Sequence, residues 1–269
     1  MRLADETKTS SDNESTAAAS DENQENKAMK FLKKIGRVGG SNKVDFTNAI
    51  GVDEGSSTKT AGKWGSGRAM KKSKAAFRWC TDSGLIDDLS EEFPTTSCGC
   101  QWDGVTDRVM GGVSSGTLSR EEEFHGRNSN VLRANVRLEN NGGFVQMTTD
   151  LALDPAVSNT VDASKFQGIE LDVFFEGDAE NEKFNVHLKN AGCLRPLSSY
   201  RATFELPQGR WTTIRLPWDR FIGHGWGAVE NNLDVSSLRR IGVVAIGKAM
   251  DVTLALSSIR FFNDAPGLA

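Results

Sequence analysis

At 269 residues, 38% hydrophobic and 25% charged, the chain has room for one large domain or two small ones, and its polar excess suggests a globular part with a polar tail. The formal net charge of -4 gives no whole-chain reason to expect nucleic-acid binding. No apolar run approaches the roughly 20 residues that a membrane-spanning helix needs; the longest, IGVVAIGKAM from Ile241, is broken by glycine and lysine and is expected to be a buried strand.

Residues 1–78 differ in kind from the rest. From Met1 to Asn26 the chain is mostly Ser, Asp, Glu, Asn and Ala, with almost nothing to bury, so ordering it would cost entropy that burial could not offset. From Lys27 to Arg78 the charge reverses, with Lys33, Lys34, Arg37, Lys71, Lys72 and Lys74 among the basic residues. A short helix over Ala28–Ile35 fits the pattern and is stopped by the glycines at 36, 39 and 40. The whole segment is expected to be a disordered, acidic-then-basic leader, its Lys27–Arg78 part either a solvated linker or else an organelle-import remnant or a basic arm that docks on an acidic surface. Its extreme N-terminus is acidic from residue 5, which fits an organelle-import peptide badly, and it has no apolar stretch for secretion.

Residues 79–269 are expected to form one domain. Period-two alternation appears in Leu132–Leu138, Gly143–Thr149, Gly168–Gly177, Lys183–Asn190, Tyr200–Leu206, Arg210–Trp218, Arg240–Gly247 and Asp251–Phe262, each bounded by Gly, Pro, Asn or Asp. In the third of these, Ile169, Leu171, Val173 and Phe175 share one face. Even spacing of about eight strands without alternating helices predicts an all-β sandwich or jelly roll.

The chemistry-bearing motifs are weaker than the fold pattern. The stretch DRVMGGVSSGTL, Asp107 to Leu118, lacks the lysine and following helix of a phosphate loop, the spacing of a dinucleotide fingerprint, and the elbow of a serine nucleophile. A tight glycine turn joining two strands is the simpler expectation, with Gly111 and Gly112 at positive φ. His125, His187 and His224 are far apart in sequence, and Cys98-Gly-Cys100 lacks the spacing of a zinc site, so neither a metal nor a cofactor is expected. Cys98 and Cys100 are either ordinary thiols or a redox-active pair. Between Arg210 and Gly227, three tryptophans, three arginines and a histidine fall close together. Trp211 is expected to pack inward near Ile214. Trp226, Arg220 and His224 are candidates for contacting a partner, because Trp and Arg dominate interface hot spots; the competing view places all three tryptophans in the core.

Taken together, DGVTDRVMGGVSSGTL, LENNGGFVQMTT, FQGIELDVFFEGD, GRWTTIRLPWDRF and LDVSSLRRIGVVAIGK stand in an order that resembles the complex I intermediate-associated protein 30 family, over about Leu85 to Phe262. The resemblance implies a galactose-binding-like jelly roll. It further implies a non-enzymatic chaperone role in assembling the membrane arm of mitochondrial NADH:ubiquinone oxidoreductase, with unassembled subunits or assembly intermediates as partners and a mitochondrial location. Plastid members of the family, linked to photosynthetic protein biogenesis, keep a plastid location open. Asp107, Met110, Gly111, Gly112, Ser114 and Gly116 match the family's first motif; Asn141, Gly142, Gly143 and Phe144 match its second. Neither motif supplies a nucleophile, a base and an orienting group together, so the loop is expected to be mainly architectural. A carbohydrate-binding module is the alternative, since fold alone does not fix function.

Overall fold

The computed structural model describes residues 82–152, 160–193, 197–225, 228–229 and 231–263. The leader of residues 1–78, the Ala28–Ile35 helix and Trp226 lie outside the described residues.

Among the described residues there are twelve strands: β1 (Leu85–Asp87), β2 (Trp102–Thr106), β3 (Ser115–Phe124), β4 (Arg127–Val136), β5 (Phe144–Asp150), β6 (Gly168–Gly177), β7 (Asn181–Asn190), β8 (Ser199–Pro207), β9 (Thr212–Pro217), β10 (Ile222–His224), β11 (Leu238–Ile246) and β12 (Met250–Phe262). They form two six-stranded sheets, a jelly-roll sandwich. One runs β3-β4-β12-β6-β9, with β1 also paired to β12; the other runs β10-β8-β7-β11-β5-β2. Every pairing is antiparallel.

Alternation decides which side chains meet between the sheets. Ile169, Leu171, Val173 and Phe175 of β6 all enter the main core, opposite Phe184, Val186 and Leu188 of β7 and Ile241, Val243 and Ala245 of β11. Strand β12 would place half its apolar residues outside if its alternation ran unbroken. A bulge between Leu256 and Ser258 resets the register, so Leu254 and Leu256 point inward before it and Ile259 and Phe261 after it.

Four strands escape the sequence pattern. β1 and β10 are three residues long, too short to show a period. β3 reads SGTLSREEEF and buries none of its residues fully, as befits a sheet edge. β2, with the sequence WDGVT, buries Trp102 and Thr106 but carries Gly104 between them.

Trp211 corrects an expectation. It belongs to a separate outer cluster with Val131, Phe174, Ala255 and Phe124 rather than to the space between the sheets. Its indole Nε1 donates to the His125 carbonyl at 3.2 Å, and the Arg127 guanidinium lies 4.8 Å from its ring centre. Ile214, three residues further along and so on the opposite face of the strand, does pack against the main core. Trp218 is also held there, its Nε1 donating to the Phe166 carbonyl at 2.7 Å with Phe261 and Phe221 beside it.

Candidate functional site

The two glycine motifs meet around one side chain. Asp107 opens a short 3₁₀ turn, Asp107–Met110, that leaves β2, and it is fully buried. Its Oδ1 accepts the Ser114 amide at 3.0 Å, and its Oδ2 accepts the Ser114 hydroxyl at 2.6 Å and the Gly143 amide. The same hydroxyl accepts the Arg137 amide at 2.9 Å, which ties the loop to the end of β4. Gly112 and Gly142 wall the carboxylate from two sides: a Cβ on either would overlap Asp107 atoms. Gly111 is at φ 93° in open space, and its amide closes the turn onto the Arg108 carbonyl at 3.0 Å. Gly112 does not share the positive φ expected for it; its smallness answers the Asp107 carboxylate instead. Gly116 lets β3 approach β4 and the core, since a Cβ there would lie 2.9 Å from both the Arg133 carbonyl and Val145 Cγ1.

In the second motif, Asn140 and Asn141 both stand at positive φ, 59° and 57°, and Gly143 at 129°, so the chain coils tightly before Phe144 begins β5. Met110 is half-buried and Asn141 exposed. The carboxylate is thus surrounded by amides and a hydroxyl of its own chain, and its protein-facing lone pairs are spent on the fold. An internal hydrogen-bonded carboxylate of this kind specifies a loop conformation.

The three partner candidates separate. Arg220 ends the Trp218–Arg220 turn, is exposed, and donates from one terminal nitrogen to the Thr203 carbonyl at 3.3 Å. His224 closes β10 and is exposed. Between and beside them lie two apolar side chains the sequence pattern did not single out, Ile222 and Val229, each 67% exposed. Their backbone segments run close together, since a Cβ on Gly223 would meet the Ala228 carbonyl and the Val229 amide nitrogen. β10 forms the outer end of its sheet. An edge strand with one exposed apolar residue, a second in the turn that follows it, and Arg and His alongside is a surface suited to protein contact.

A second polar region lies on the outward face of the same sheet. Its pairing aligns Ile222, Arg201, His187, Gly242, Thr148 and Asp103 across all six strands. The next row holds His224, Ser199, Lys189, Arg240 and Asp150. Arg240 is neutralised by Asp150, Nε to Oδ1 at 2.6 Å and a second bond at 3.2 Å. Burial, reinforced by the charges of Arg201 and Lys189, pushes the His187 imidazole down to about 3. Burial and the neighbouring Arg240 push Lys189 down to about 8. Burial likewise lowers Arg201, and burial with Arg201 lowers His224. At the other end of the row burial raises Asp103, against the pull of Arg240. The signal in sequence was the polar half of two alternating strands, Asn185, His187 and Lys189 on β7 and Arg201 and Thr203 on β8. Only the sheet register joins them.

Cys98 and Cys100 are both buried, and the Cys98 thiol donates to the Ile86 carbonyl at 2.9 Å. The nearby Asp87 is a second buried carboxylate, accepting the Trp102 indole at 2.6 Å and the Ser97 amide at 3.0 Å. Among the described residues no three His, Cys, Asp or Glu side chains converge as a metal set.

The family model for complex I intermediate-associated protein 30 matches residues 92–256, more than half of the chain. The chain belongs to that family. The match takes in both glycine motifs, the Asp107 clamp and the β10 edge, and it ends within β12. No curated protein sequence matches this family member significantly. Among solved structures it is similar to the family 11 carbohydrate-binding module of Clostridium thermocellum in complex with a β-1,3-1,4-mixed-linked tetrasaccharide, at 12% identity and TM-score 0.48, covering 66% of this chain and 95% of that one. The same module from a Clostridium thermocellum cellulosomal cellulase gives 13% identity, TM-score 0.49, and coverage of 68% and 96%. An exo-β-agarase gives 11%, 0.43, and coverage of 68% and 25%. No helix among the described residues is long and apolar enough to cross a membrane.

Proposed function

We infer that this member of the complex I intermediate-associated protein 30 family is a non-enzymatic assembly factor for a membrane electron-transfer complex, mitochondrial NADH:ubiquinone oxidoreductase in the first place. The family match over residues 92–256 carries the reading. Its client is an unassembled subunit or assembly intermediate, and it works in mitochondria.

The geometry supports a binding role in two ways. Asp107 and Ser114, the polar side chains of the most recognisable motif, face inward and bond to each other and to backbone, which leaves them no substrate to act on. The exposed apolar pair Ile222 and Val229, flanked by Arg220 and His224, offers the client a sheet edge together with hydrophobic anchors. Trp226, close in sequence but outside the described residues, is kept as a client-contact candidate from its residue type alone.

The test is co-purification with the tagged full-length chain, comparing wild type with an Ile222→Glu/Val229→Glu double variant and with Trp226→Ala. Loss of roughly tenfold or more of the co-purifying complex I subunits, about the effect of removing a hot-spot anchor, at an unchanged melting temperature supports the edge. Undiminished recovery in both variants refutes the edge as the working surface. Recovery of photosynthetic subunits in place of complex I subunits transfers the role to the plastid.

A further inference from the structure

Asn141 and Gly142 form the one Asn-Gly pair in the chain, and the Asp107 clamp fixes each member for its own reason. Asn141 stands at φ 57°, a left-handed conformation that asparagine adopts more readily than most residues with a side chain. Gly142 is at φ -81° and is not needed for its backbone freedom; a Cβ there would overlap the Asp107 carboxylate. The packing around one carboxylate thus calls for a labile dipeptide. A glycine amide has no side chain to hinder its approach to the preceding asparagine, so Asn-Gly is the pair in which that attack meets least obstruction.

The surroundings leave the reacting groups accessible. Asn141 is exposed, and its side-chain amide forms no hydrogen bond among the described residues. The turn that carries it, Glu139–Asn141, has all three residues exposed and is closed by the Gly142 amide donating to the Glu139 carbonyl at 3.1 Å. Fraying of that short turn frees the Gly142 nitrogen, because little buried surface holds it shut. Other asparagines are better guarded. Asn128 is exposed but donates from Nδ2 to the Leu89 carbonyl at 3.2 Å, and Ser129 follows it. Asn190 is buried, its Oδ1 accepts the Gly192 amide at 3.0 Å, and the Ala191 amide is held by the Ser237 carbonyl at 2.9 Å. Asn140 is followed by a residue with a side chain of its own.

We propose that Asn141 is a site of spontaneous deamidation, and that its isoaspartyl product loosens the Asp107 clamp. The Gly142 nitrogen, losing its proton, bonds to the Asn141 side-chain carbonyl carbon and closes a five-membered succinimide. The side-chain nitrogen leaves as ammonia and carries that proton away. Water, the sole co-reactant, then opens the ring: at the side-chain carbonyl it yields aspartate, at the main-chain carbonyl isoaspartate. Nothing is oxidised or reduced. The isoaspartyl form carries one extra main-chain atom immediately before Gly142, where the Asp107 carboxylate leaves no slack. Moving Gly142 also moves Gly143, whose amide donates to Asp107 Oδ2, and a buried carboxylate that loses a donor is costly. The new charge gains no ready partner nearby: Glu139 is itself acidic, and Arg137 is engaged by Asp251 at 3.1 Å. The modification rests on the clamp and is independent of the client edge.

The experiment ages the full-length chain at physiological temperature in mildly alkaline buffer, with a second sample held unfolded in guanidinium. Each asparagine-containing peptide is followed by mass spectrometry, and isoaspartate is scored by enzymatic carboxyl methylation. In the folded sample, conversion at Asn141 is expected to outrun that at Asn128 by roughly tenfold or more, a barrier difference within reach of one hydrogen bond and one side chain. The aged protein should develop a second, lower melting transition that grows with its isoaspartate content. Asn141→Gly accepts the positive φ and has no amide to lose, so it should keep a single transition over the same period. The proposal fails if Asn141 stays intact in the folded chain while the unfolded sample converts, if Asn128 or Asn190 converts first, or if isoaspartate accumulates at Asn141 without a lower-melting fraction.

Discussion

The Asp107 clamp separates two reasons for a glycine that look alike in sequence. Gly111 is there for its positive φ and has open space around it, so Gly111→Ala is expected to cost about 1 kcal/mol in backbone strain. Gly112 is there because the carboxylate fills the place of its Cβ, so Gly112→Ala should cost more, roughly 2–4 kcal/mol, as overpacking of a buried polar group. Denaturant unfolding of the two variants checks the order. Adding Asp107→Ala should make the Gly112→Ala cost shrink, a non-additivity that appears only if the two groups touch. His187 gives the molecule a pH dependence. Its folded value, about 3, lies below the ordinary 6.5, so between those values the unfolded chain takes up a proton that the folded chain refuses. Stability is therefore expected to fall as pH is lowered through that window, by roughly 1–3 kcal/mol at about pH 5. His187→Gln should flatten the slope in urea midpoints measured at about pH 7 and about pH 5.

At the level of elements, two tryptophans on one stretch of chain serve different surfaces. Trp218, at the end of β9, packs on the main core, whereas Trp211, just before it, roofs an outer cluster on the opposite face of β6 against Phe174. Both Trp211→Ala and Trp218→Ala are expected to cost about 2–4 kcal/mol of stability, because each removes a large packed aromatic and an indole hydrogen bond. Ile222→Ser on β10 should change stability by no more than about 0.5 kcal/mol, since the side chain is already in water. Melting temperatures of the three variants test this contrast directly. A drop for Ile222→Ser comparable to that of the tryptophans would remove β10 from consideration as a free contact edge.

For the whole molecule, the sandwich draws on two sheets that each use one face inward and one outward, so its stability and its binding surfaces reside on alternate residues of the same strands. The leader offers no comparable alternation. Limited proteolysis of the full chain is therefore expected to leave a resistant fragment beginning between Trp79 and Leu85. Protection of Lys27–Arg78 to the same degree as the strands would show that the leader contributes to the folded unit.

Eight strands were legible in the sequence because burial on one face writes a period of two, and β6 runs over Gly168–Gly177 as that pattern predicts. The family motifs were legible too, as strings of glycine and asparagine that only special backbone conformations favour. What the sequence could not carry is distance. That Gly112 and Gly142 close on one carboxylate, that Trp211 lies outside the core, and that Arg201, His187 and Gly242 form one row all depend on strand register, which joins residues tens of positions apart. Local alternation determined which residues face in and which face out; the pairing of strands, a property of the closed sandwich alone, decided which of the outward residues stand together.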